Sequence, residues 1–144
     1  MVIQLYAITD TLTLNYKILE SKKAQKLIDK ILSELDHAGI IINTVVDDLK
    51  ELRTYALAQQ NPLLVKLLRL TYEHILANET FSIAIPDDEP IEEENKEGEE
   101  VAVATEQDHD PKESLHYLIS LFKDPENKIN ILDLRAYRDA LNNF

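Results

Sequence analysis

Nearly all the net charge of this chain sits in one segment, which confines the folded protein to what lies on either side of it. From Asp87 to Glu113 there are 13 acidic residues against two basic ones, Lys96 and Lys112, so this stretch supplies −11 of the formal −12. Residues 1–86 carry 10 acidic and 9 basic side chains, and residues 114–144 carry four of each. A uniformly acidic surface would suggest a nucleic-acid mimic or a binder of basic partners. Here the two flanking regions are electrically plain and amphipathic. The segment PDDEPIEEENKEGEEVAVATEQDHDP combines low hydrophobicity with dense like charge, the composition of disorder. It reads as a solvated linker with a flexible reach of roughly 30 Å.

With 144 residues the chain is long enough for one domain with a real core. Only two glycines, Gly39 and Gly98, and five prolines punctuate it. An all-β chain needs a turn every 8–12 residues or so, which these cannot supply. Cysteine is absent, which excludes disulfides, thiolate metal sites and cysteine nucleophiles and fits a reducing compartment. The opening MVIQLYAITDTLTLNYK lacks a basic region followed by a sustained apolar run, so no signal peptide is expected. No stretch approaches the ~18 apolar residues of a membrane span. The expected location is the cytoplasm.

Three helices follow from periodicity and punctuation. The first opens at Ser21 as its N-cap and ends at Gly39, with Leu27, Ile28, Ile31, Leu32 and Leu35 on one face and Lys22, Lys23, Lys26 and Lys30 on the other. The second spans about Asn43–Gln60, with Val45, Val46, Leu49, Leu52, Ala56 and Leu57 directed inward. The third starts at Asn61-Pro62, a capping residue followed by proline at the first helical position. It is apolar almost all round, with only Lys66, Arg69 and Glu73 as a polar stripe, the pattern of a helix covered on several sides. Residues 2–19 fit helical spacing through Leu5, Ile8, Leu12, Tyr16 and Leu19, but Leu12, Leu14, Tyr16 and Ile18 also alternate like a strand; helix is favoured. A strand there would have Phe81–Ile85 and Val101–Val103 as its candidate partners, and these two could also pair as a hairpin.

Beyond the acidic run, Leu115, Leu118, Ile119 and Phe122 face one way on one helix, and Leu134, Tyr137 and Leu141 on the next. About 31 residues cannot bury a core alone. The expected architecture is therefore all-α: an N-terminal helical bundle (1–86), an acidic, disordered linker (87–113), and a C-terminal helical hairpin (114–144). The hairpin docks on the bundle or on a partner.

Glu34/His37, Glu106/His109 and Glu113/His116 repeat the Glu-x-x-His spacing of carboxylate-bridged di-iron bundles. At ~100° per residue, His37 falls roughly 140° from its helix's apolar face and Glu113 roughly opposite the Leu115/Ile119/Phe122 face. They read as surface pairs, and no metal or other cofactor is expected. His74 differs: it lies amid the stripe of Leu63, Leu67, Leu70 and Thr71, as a neutral core histidine satisfied by a hydroxyl or a carbonyl. The lysine stripe on the first helix lacks arginine and interleaved aromatics, so nucleic-acid binding is not expected, although it would offer the acidic segment a landing site.

The run DPENKINILDLRAYRDAL after LHYLISLF resembles half an EF-hand, and its KIN-x-x-DL stretch is similar to a dockerin calcium repeat. Aligned so, Asp124 and Glu126 take loop positions 3 and 5, Ile129 the apolar position 8 and Asp133 the acidic position 12. Phe122 occupies position 1, where an oxygen ligand is required, and Asn127 replaces the glycine at position 6. The resemblance implies a helix–loop–helix shape rather than tight calcium binding.

No phosphate loop, metalloprotease helix or serine elbow is present, and no catalytic residues are assigned. The expected function is non-enzymatic: a protein–protein interaction or structural adaptor role, or self-association, through apolar helix faces. Leu63, Leu67, Leu70, His74, Phe122, Leu134 and Tyr137 are the candidate interaction residues, and neither nucleic acid nor membrane is an expected partner. The alternatives are a carboxylate/histidine metal bundle, and a regulator whose acidic segment masks a basic surface.

Overall fold

A computed structural model describes residues 21–86 and 109–144. The readings of residues 2–19, of the acidic segment up to residue 108, of Val101–Val103 and of Glu106 fall outside those residues. The described residues form five helices and no strand: α1 (21–38), α2 (Ile42–Ala58), α3 (Pro62–Asn78), α4 (Pro111–Leu121) and α5 (Lys128–Asn142). The protein is an all-α helical bundle with a C-terminal helical hairpin.

Local chemistry explains most boundaries. In α1 Ser21 is itself helical rather than a flanking cap. Gly39 takes φ +75° and its N–H returns to the Leu35 carbonyl at 3.0 Å, the left-handed stop that glycine adopts without a Cβ penalty. Helix α2 ends in a Schellman turn built on a glutamine. Gln60 holds φ 57°, its N–H bonds Leu57 O at 3.0 Å, and the Asn61 N–H bonds Ala56 O at 3.1 Å. Asn61 then caps α3 by accepting from the Leu64 N–H at 3.2 Å, with Pro62 next to it. So short a connection makes α2 and α3 neighbours in space, and they pack against each other.

The boundary drawn at residue 113 between acidic segment and hairpin falls inside a helix. Asp110 accepts from the Lys112 N–H at 3.0 Å and Pro111 opens α4, so the Asp-Pro start signal prevails over the acidic character of its neighbours.

One apolar cluster joins all five helices. It holds Ile31 and Leu35 of α1, Leu49 and Leu52 of α2, Leu67, Leu68 and Ile75 of α3, Leu115, Leu118 and Ile119 of α4, and Leu134 and Tyr137 of α5. Helix α3 touches both α2 and α5, which accounts for its nearly continuous apolar surface. Polar ties cross the same boundaries. Lys30 Nζ lies 2.8 Å from Asp48 and 3.4 Å from Glu34, linking α1 to α2, while Lys123 Nζ reaches Asp29 at 2.9 Å.

The Phe81–Ile85 segment, a strand candidate in the sequence, is neither strand nor loose loop. Phe81 and Ile83 are buried while Ser82 and Ala84 are exposed. The period-2 alternation is real, but its apolar side plugs the bundle instead of pairing with a neighbouring strand. Ser114 Oγ donates to the Ile83 carbonyl at 2.6 Å, and the Tyr137 hydroxyl donates to the Ser114 carbonyl at 3.1 Å. Burial pushes the Tyr137 phenol far above its ordinary range, so it stays a neutral donor.

Candidate interaction surface

Of the seven residues that the sequence nominated for an interaction face, five are covered by this chain. Leu67, His74, Phe122, Leu134 and Tyr137 are buried, and Leu63 and Leu70 are half-buried against the same core. The apolar ones all belong to, or pack against, one core cluster, within which α3 packs on α5 and α5 on α4.

His74 is a core histidine with a different partner from the one its surroundings suggested. Its Nε2 accepts from the backbone N–H of Ser82 at 2.9 Å, not from a hydroxyl and not toward a carbonyl. An amide can only donate, so Nε2 must be unprotonated and the neutral tautomer carries its proton on Nδ1, beside Asn78. Phe81 and Phe144 close on the ring edge-to-face, at centroid distances of 5.6 and 4.6 Å. Burial holds the imidazole below its usual pKa.

The consequence has a definite sign. Below a pH of about 6.5 the unfolded chain takes up a proton that the folded chain refuses, so stability falls as pH falls, by at most ~1.4 kcal/mol per unit from this one group. His74→Gln should flatten that contribution, seen as a smaller loss of stability between pH 7 and 5 in urea titrations. An identical pH profile for the variant would refute the assignment.

What remains exposed is a shallow groove between α2 and α3. Leu57, assigned inward from its spacing, stands 52% exposed on the rim of this groove, opposite Val65. The Arg53 side chain crosses from α2, and its Nε donates to the Val65 carbonyl at 3.2 Å. Lys66 and Arg69 line the α3 side, Arg69 pairing with Glu73 at 3.3 Å. Farther along α2, Lys50 sits 5.5 Å above the Tyr72 ring. An adjoining hollow shares Pro62 and Lys66 and is lined by Arg135 and Arg138 of α5. The groove was not legible in the sequence, because it depends on how α2 and α3 lie together.

Two further large apolar residues, Ile129 and Leu132, are 71% and 66% exposed and lie one turn apart on α5. Ile129 was aligned with the inward apolar position of a calcium loop. Instead α5 has already begun at Lys128, capped by Asn127 Oδ1, which accepts from the N–H groups of Ile129 and Asn130. Asp133 accepts from the Tyr117 hydroxyl inside the hairpin, away from any loop. The helix–loop–helix shape is present and the twelve-residue ligand loop is not.

The Glu-x-x-His residues are dispersed. Lys30 holds Glu34, His37 Nδ1 lies 2.8 Å from its own helix's Ser33 carbonyl, and His116 pairs with Asp36 at 3.3 Å. Among the described residues no three His, Asp or Glu side chains are placed to hold a metal ion. A second cleft opens between α1, α2 and the 122–126 loop over Ile28, Leu52, Leu64 and Phe122. It encloses about 240 Å³, below the ~300–1,000 Å³ usual for small-molecule sites. No helix among the described residues is long and apolar enough to cross a membrane. No protein family, curated protein or solved structure matches the chain.

Proposed function

We propose that this is a non-enzymatic, cytoplasmic interaction protein that binds another protein, or a second copy of itself, through apolar helix surface. The observation that supports this is the α2–α3 groove, where exposed Leu57 and half-buried Val65 lie between cationic side chains. Exposed leucines are common singly. A concave, cation-rimmed apolar site at the junction of two packed helices is the form a partner helix or extended segment can occupy.

Leu57→Glu tests the reading. Because the side chain is half exposed, folding stability should change by no more than ~0.5 kcal/mol. The partner complex recovered with the intact chain from its native source should be lost, while Asn43→Glu, on exposed α2 surface, should leave it intact. Equal recovery with both variants would overturn the groove as the binding face.

A further inference from the structure

The chain contains four arginines, and all four line the two adjoining hollows around Pro62 and Lys66. Arg53 comes from the end of α2, Arg69 from the middle of α3, and Arg135 and Arg138 from α5. They are far apart in sequence, and the fold gathers them. The eleven lysines are spread along the chain, from Lys17 to Lys128, and of those among the described residues only Lys66 lines this surface. Arginine differs from lysine in presenting a rigid, planar fork that grips a carboxylate through two parallel hydrogen bonds and is less costly to desolvate.

Two of the four arginines already pair with carboxylates of this chain: Arg69 Nη1 lies 3.3 Å from Glu73, and Arg138 Nη2 lies 3.0 Å from Asp139. Among the described residues Arg53, Lys66 and Arg135 have no ion-pair partner. The local charge is therefore positive on a chain whose total is −12. Leu57, Val65 and Leu63 put apolar surface between the cations.

We propose that this arginine-lined surface is a docking site for an acidic peptide segment of a partner protein, one in which glutamates or aspartates flank leucine-sized apolar side chains. The proposal deepens the interaction reading above and rests on it. Carboxylates pair with Arg53, Lys66 and Arg135 at the rim, and the apolar side chains settle against Leu57 and Val65. A nucleic acid is the poorer occupant. Its dense phosphate charge meets only three cations that lack internal partners, and it gains little from the apolar residues.

The experiment measures binding of the full chain to a fluorescein-labelled synthetic peptide repeating glutamate pairs and leucines. Its comparators are the same peptide with every glutamate replaced by glutamine, and a single-stranded oligonucleotide of equal length. At low salt the acidic peptide should bind roughly tenfold or more tightly than its glutamine counterpart. The preference should vanish at about 1 M salt, where the screening length is only ~3 Å. Arg53→Glu with Arg135→Glu should abolish it, and Lys22→Glu with Lys26→Glu on α1 should not.

Equal binding of both peptides, lost with Leu57→Glu, would overturn the acidic assignment while leaving the interaction reading intact. Tighter binding of the oligonucleotide would overturn it in favour of nucleic acid. A chain with Glu92, Glu93, Glu94, Glu97, Glu99 and Glu100 replaced by glutamine tests the remaining occupant. If the peptide binds only to that chain, the surface belongs to the protein's own acidic run and the partner assignment fails.

Discussion

A chain ending at Asp110 is expected to lose its native fold, because the C-terminal hairpin supplies a third of the buried apolar core rather than forming an appendage. Truncation removes Leu115, Leu118, Ile119, Leu121, Phe122, Leu134, Tyr137 and Leu141, all of them buried in one cluster with residues of α1–α3. Fully burying one leucine-sized side chain is worth ~1.5–3 kcal/mol, whereas a domain of this size is stable by only ~5–15 kcal/mol in total. Losing eight such residues exceeds the whole margin, even after the ordering entropy of the hairpin is recovered. The truncated chain should therefore bind a hydrophobic dye, aggregate, or show no cooperative thermal transition by circular dichroism. A gentler version separates packing from gross unfolding: Leu134→Ala should lower the unfolding free energy by ~2–5 kcal/mol in urea titrations, because Leu134 is wholly enclosed and its site can collapse only partly. A soluble, monomeric 1–110 chain with an unchanged melting temperature would show that the hairpin contacts are not stabilising.

How far the fold could be read in the sequence depended on whether a signal was local. The stop at Gly39, the Asn61-Pro62 start and the inward face of α1 each rest on local pattern, and the structure has them where the pattern put them. The errors came where tertiary placement decides. Leu57 was assigned inward but faces outward, because at about 100° per residue it stands roughly a quarter-turn or more around α2 from the buried Leu49, Leu52 and Ala56. His74 was recognisable as a core residue by its neighbours on the helix. Its partner, the Ser82 amide, lies eight residues on, in a segment that spacing alone reads as a strand. The arginine surface was the least legible feature. Four arginines in a string of letters look scattered, and only the packing of α2 and α5 on either side of α3 brings them together.

The segment 81–83 joins two of these misreadings, the strand candidate and the partner of His74, and Phe81→Ala should be the most damaging single substitution outside the helices. The Phe81 ring is completely buried, edge-on to His74 at 5.6 Å and tilted against Tyr137 at 6.2 Å. On the two residues that follow, the Ser82 N–H bonds His74 of α3 and the Ile83 carbonyl accepts from Ser114 of α4. Three extended residues thus tie three helices together through one ring and two hydrogen bonds. Deleting the ring leaves a cavity among Leu-sized and aromatic walls that rigid helices cannot close, for an expected loss of ~3–5 kcal/mol. It should also loosen the two hydrogen bonds, so the Ser82 amide should exchange with solvent much faster in the variant than in the parent. Ser82→Ala is the control, since it keeps the N–H and changes only an exposed side chain, and it should stay within ~0.5 kcal/mol of the parent. If Phe81→Ala were as mild as Ser82→Ala, the segment would be a passive connection, and the coupling between α3 and the hairpin would rest on helix–helix packing alone.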